Sequence, residues 1–142
     1  MRLSKSTKLF TILYLIIGLT GCSKGPSIPR TIPPELETLA QQFRSAPTNN
    51  RIELGNRIRD LLPTCEVRDA SGNVSSYNYS TPTYWLTRED VIRLLGQPNE
   101  VIEGDFIYYL GCDHKYAWSL SVEFFEDHVA VSRIDHGFKT AR

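Results

Sequence analysis

No long hydrophobic run and no excess of one charge mark this 142-residue chain. The longest apolar stretch, Leu9 to Leu19, has 11 residues, against the roughly 20 that a membrane-spanning helix needs. That excludes a multi-span membrane protein. Sixteen basic residues balance 16 acidic ones, which excludes a nucleic-acid binder recognisable by its basic surface and a charge-dominated disordered chain. The nine glycines are scattered, with neither a collagen period nor a phosphate-cradling loop, and no serine nucleophile elbow is present. What is there, at 41% hydrophobic and 23% charged residues and a mean hydropathy of −0.27, fits one ordinary globular domain.

The zero net charge averages two unlike segments. Residues 1–21 carry Arg2, Lys5 and Lys8 and no acid. A basic start before an 11-residue apolar core reads as an export signal rather than an anchor helix. The core ends in Leu19-Thr20-Gly21-Cys22. This segment resembles the lipobox of bacterial lipoproteins, which implies cleavage before Cys22 and a diacylglycerol on its thiol. Several acyl chains hold a protein on a membrane stably where one does not. Ser23 follows where the family's inner-membrane members carry Asp, so the resemblance implies the outer membrane, facing the periplasm. Removing residues 1–21 leaves 13 basic against 16 acidic residues, a net of −3. Residues 22–34 hold Pro26, Pro29, Pro33 and Pro34, which forbid a helix and favour an extended tether. At about 3.1 Å per residue it is expected to reach roughly 35–40 Å and keep a domain at 35–142 clear of the headgroups.

From Glu35 the pattern becomes helical. Leu36, Leu39, Ala40 and Phe43 share one helix face, and Ser45-Ala46-Pro47 ends it. Asn49 or Asn50 suits the cap of a second helix, whose stripe is Ile58, Leu61, Leu62 and Cys65, with Pro63 disrupting the last turn. Both stripes read as core. Residues 66–86 carry no clear period. Ser71-Gly72-Asn73 signals a turn between Val67 and Val74. Tyr77, Tyr79, Tyr84 and Trp85 make the loop aromatic, the composition of an interaction surface or of a cover over the core.

The C-terminal half is the most legible. Thr87 and Asp90 form a capping-box variant, Val91, Leu94 and Leu95 an inner face, and Gly96 and Pro98 a stop, so a helix is expected over about 88–95. Phe106 to Leu110 reads as a strand, with Ile107 and Tyr109 on its second face. Trp118, Leu120, Val122 and Phe124 alternate with polar residues as a half-buried strand, and a short turn around His128 leads into a third over 129–134. The expected fold class is α+β: helices packed on a small antiparallel three-stranded sheet, preceded by an extra helical segment.

This order, LTREDVIRLLGQP (86–98), FIYYLG (106–111), WSLSVEFFED (118–127) and VAVSRID (129–135), resembles the small outer-membrane lipoproteins of the SmpA/OmlA (BamE-like) type. The same helix–sheet unit resembles β-lactamase-inhibitor-like domains. Two features depart from the first family: Leu86 precedes the capping Thr where a Gly is usual, and His128 stands where the turn usually has Gly. The resemblance implies a lipid-anchored domain that binds envelope proteins, in β-barrel protein assembly or envelope integrity. The alternatives are an inhibitor or immunity-type lipoprotein that blocks a cell-wall enzyme, and a small enzyme using His114 or His136.

With Cys22 lipidated, Cys65 and Cys112 remain. An even pair in an exported domain predicts a disulfide, closing a loop whose contribution is roughly 4 kcal/mol. The rival use of Cys65, Cys112, His114 and His136 as zinc ligands matches no recurrent spacing, and no metal or cofactor is expected. Asp113-His114 and Asp135-His136 point to opposite faces of a strand, so adjacency alone makes no dyad. The expected binding residues are therefore Tyr77, Tyr79, Tyr84 and Trp85 in the loop and Ile107, Tyr109 and Phe125 on the outer sheet face. The expected partners are the membrane through the lipid and envelope proteins, not nucleic acid.

Overall fold

The computed structural model describes residues 27–138; Cys22 and the apolar segment before it lie outside the described residues. The chain is α+β, with helices α1 (Pro34–Ser45), α2 (Arg51–Leu61) and α3 (Arg88–Leu95). Strands β1 (Glu66–Arg68) and β2 (Val74–Tyr77) form a two-stranded ribbon. Strands β3 (Glu100–Ile102), β4 (Asp105–Cys112), β5 (Tyr116–Phe125) and β6 (His128–Phe138) form an antiparallel sheet in that order.

The expected three-stranded sheet is thus corrected to four strands. β3 is only three residues long and pairs Val101 with Phe106. Its turn is Glu103-Gly104, both with positive φ (53° and 95°), the backbone of a two-residue hairpin that matches strand twist. Glutamate is a poor marker for such a turn, which is why the segment reads as loop.

One face of the sheet carries the core. Leu36, Leu39, Ala40 and Phe43 of α1, Ile58 of α2 and Val91, Leu94 and Leu95 of α3 pack on Phe106, Tyr108, Leu110, Leu120 and Val122. Each stripe lies where 3.6 and 2 periodicities put it. α2 ends at Leu61 because Leu62, preceding Pro63, is extended (ψ 146°), so Cys65 leaves the helical stripe. The cap of α3 forms as read: Asp90 N–H donates to the Thr87 hydroxyl and Thr87 N–H to the Asp90 carboxylate, each at 3.1 Å.

The sheet also separates the two cysteines, correcting the expected disulfide. Cys65 N–H donates to Ala130 O at 2.8 Å, whereas Cys112 pairs with Ala117, and Ala117 with Gly137. Ala130 and Gly137 are seven residues apart on β6, roughly 23 Å, and a disulfide needs Cα atoms within about 7 Å. Both thiols are free, Cys65 buried and Cys112 exposed. Burial pushes the Cys65 thiol above its ordinary pKa, which lowers its thiolate fraction. Alkylation of the folded chain is expected to modify Cys112 and to reach Cys65 only on unfolding. An intact mass that rises by two hydrogens on reduction would restore the disulfide.

Candidate interaction surface

The opposite sheet face carries no helical layer. Cross-strand partners share a face, so Glu100, Ile107, Ser121 and Arg133 run across it as one row, and Tyr109, Ser119 and Asp135 as the next. Ile107 is half-buried. Tyr109 and Ile102 are exposed, at 42% and 52%. The Tyr109 hydroxyl donates to the Glu100 carboxylate, which holds that phenol protonated to higher pH than usual. The Glu123–Arg133 ion pair, at 2.5 Å, sits between this patch and a second one near the β5–β6 turn.

The second patch is built by the aperiodic loop. After α2, the chain meets the edge of β6 at Cys65, which packs on Ala130 and Val131. The ribbon then turns at Ser71-Gly72-Asn73: the Asp69 carboxylate accepts from Ser71 N–H at 2.8 Å and Asn73 N–H at 3.0 Å, and Gly72 takes φ +83°. This returns Tyr77 and Tyr79 to the sheet. Tyr77 stacks on Tyr79 at 5.8 Å, and Tyr79 on Phe125 at 5.0 Å. The ridge continues through His128, 5.9 Å from Phe125, to Trp85, 4.3 Å from His128.

Two residues depart from their expected places. Tyr84 is core, not surface: its ring is buried and its hydroxyl donates to Leu61 O at 2.7 Å. Burial raises its pKa well above the ordinary tyrosine range. His128, a turn residue by its sequence and as such expected to face solvent, is 2% exposed. It is the first residue of β6, paired with Phe125 across the two-residue turn Glu126-Asp127. Its Nε2 lies 2.8 Å from Tyr79 O, which as a carbonyl can only accept, while Nδ1 is buried without a partner. Donation to that carbonyl puts a hydrogen on Nε2. The signal that was missed is the register: a two-residue turn places His128 opposite Phe125, beneath the loop.

Two of the groups considered for acid–base chemistry, Asp113 and His136, are engaged structurally. The Asp113 carboxylate accepts from Lys115 and Tyr116 N–H at 2.7 and 2.6 Å and from the Trp118 indole at 3.0 Å. These bonds, the Tyr116 one foremost, hold its pKa down at about 2. The His136 ring rests between Tyr116 at 4.8 Å and Trp118 at 4.9 Å. Among the described residues no group of three or more His, Cys, Asp or Glu is placed to hold a metal. A polar groove at the open edge of β6 is lined by Arg59, Arg68 and Arg133. Each of these arginines is within salt-bridge distance of an acid (Asp60, Glu66, Glu123), which leaves the groove little net charge for an anion.

No described helix is long and apolar enough to cross a membrane. Compared with known proteins, the chain matches no family model, no curated protein and no solved structure.

Proposed function

We propose that this chain is a lipid-anchored interaction module on the periplasmic face of a bacterial outer membrane. Acylated Cys22 holds it to the bilayer, and it binds envelope proteins, in β-barrel assembly or envelope integrity. The start of the sequence supports the anchor: a basic segment, an apolar core of signal-peptide length and Leu19-Thr20-Gly21-Cys22. One structural observation carries the binding role. The sheet is covered by helices on one face only, and its other face bears Ile107 and Tyr109 beside exposed Ile102. Apolar residues rimmed by polar ones on an uncovered face are the composition of a docking surface. Tethering raises the local concentration of such a surface for partners in the same membrane.

The order of α3, β4, β5 and β6 supports the SmpA/OmlA-like reading of the domain. A photocrosslinking residue in place of Tyr109, activated in intact envelopes and followed by mass spectrometry, tests the function. Recovery of barrel-assembly proteins is the expected result. A single cell-wall hydrolase would instead make the chain an inhibitor, and the absence of any protein adduct would overturn the binding role.

A further inference from the structure

The proline-rich tether does not stand free of the domain. Trp85 N–H donates to Pro29 O at 2.7 Å, Ile32 packs against the core, and Pro33 O accepts from Leu36 N–H at 3.0 Å at the start of α1. Ser27, Ile28 and Arg30 line a hollow beside the Trp85 ring. The tether is therefore part of the domain from Ile28 onward, and the expected 35–40 Å standoff is lost. Residues 22–27 lie between the thiol and the docked chain, a reach of about 20–22 Å at most.

The tether's exit point also adjoins the aromatic ridge. Trp85 touches both the tether and His128, and the ridge passes from there to Phe125, Tyr79 and Tyr77. The last three rings are each about 40% exposed. We infer that this ridge rests on the lipid surface itself, so that the domain lies against the bilayer with the β5–β6 turn toward it. This rests on the Cys22 anchor proposed above.

Two observations select a bilayer as the occupant, and a third its lipid. The few residues between Cys22 and the docked chain hold the ridge within reach of the headgroups. Its exposed rings are two tyrosines and a phenylalanine beside a tryptophan, and amphipathic rings of this kind settle at the headgroup level. Exposed Glu126 and Asp127 form the adjoining turn, and the mature chain is net acidic. That charge selects a zwitterionic lipid rather than an anionic one. The Ile107–Tyr109 patch, beyond the Glu123–Arg133 pair, is left for protein.

The two tryptophans provide the test. Trp118 pairs with His136, eight residues along β6 from His128, roughly 26 Å from the ridge. The mature lipidated chain is reconstituted on vesicles of phosphatidylcholine with brominated acyl chains, as Trp118→Phe and as Trp85→Phe. Both are expected to float with the vesicles. Trp85 emission is expected to be quenched and Trp118 emission unchanged, and the unsubstituted chain loses only part of its emission. Phe125→Ser, at an exposed position, is expected to weaken the quenching without releasing the chain. A chain that floats with both tryptophans unquenched, or equally quenched, refutes the orientation and leaves the anchor standing. A chain that does not float, with Cys22 unmodified by mass, refutes the anchor and the orientation with it. A photocrosslinker at position 125 that captures a protein rather than a phospholipid in intact envelopes gives the ridge to a partner and overturns the inference.

Discussion

Gly111→Ala is expected to destabilise the domain by about 2–6 kcal/mol. Gly111 lies in β4, where the register with β5 shifts between Tyr109 and Gly111. Its φ is +117°, a conformation L residues avoid at a cost of about 1–3 kcal/mol. Space is also missing. A Cβ there would stand 2.6 Å from Thr48 O and 2.9 Å from Asn49 Cα. Both are backbone atoms of the short 3₁₀ turn, Thr48–Asn50, that joins α1 to α2. Backbone cannot swing aside as a side-chain tip can, so the turn must lift from β4, and overpacking of that kind costs about 1–3 kcal/mol more. Gly55→Ala is the internal contrast. Its Cβ would first meet the Leu110 side chain, the two methyl groups at 2.7 Å and Cγ at 3.3 Å, and alanine in mid-helix gains about 1 kcal/mol over glycine. Urea unfolding of the two variants compares them directly: a Gly111→Ala midpoint no lower than that of Gly55→Ala sinks the close-approach account.

Phe43→Ala is expected to cost about 3–5 kcal/mol, out of the roughly 5–15 kcal/mol that holds a domain of this size. The ring is 1% exposed. It meets Tyr108 edge-on at 6.3 Å, and the Arg51 guanidinium lies 4.9 Å from its centroid. It therefore joins α1, the start of α2 and the sheet at one point. Truncation removes the transfer energy of the ring and leaves a cavity that three separate elements cannot close together. In a thermal melt the expected loss is on the order of 15–20 °C. Phe43→Leu, which keeps most of the volume, is expected to lose only about 1–2 kcal/mol. Equal effects of the two substitutions would show that volume at this position does not matter.

The parts of the fold legible in the sequence are those set by local chemistry. The α1 stripe, the α3 capping box with its Gly96 stop, the alternation of β5 and the Ser71-Gly72-Asn73 turn each depend on residues within a few positions of one another. β3 was illegible because three residues carry no period and Glu103-Gly104 is an atypical turn. Tyr84 and Tyr79 look alike in sequence, yet one is core and the other surface. Their difference is set by Leu61 O and Phe125, which are distant in the chain.

In the sequence the candidate surface falls into two patches, loop aromatics and outer sheet face. Tertiary structure regrouped them. Phe125 left the sheet-face set to stack on Tyr79, and His128, unremarked as a binding element, became the buried link to Trp85.

The amino-acid sequence by itself determined the secondary structure wherever a cap or a period marks it and the apolar face of each long element. Those are properties of neighbours along the chain, where periodicity and capping act. Only the tertiary structure decided that Cys65 and Cys112 lie far apart, that the proline tether docks through Pro29 and Trp85, and that five aromatic rings join into one ridge. Each of these depends on which strand edge a long connection meets. That choice is made by burial summed over the whole core, and no short segment encodes it.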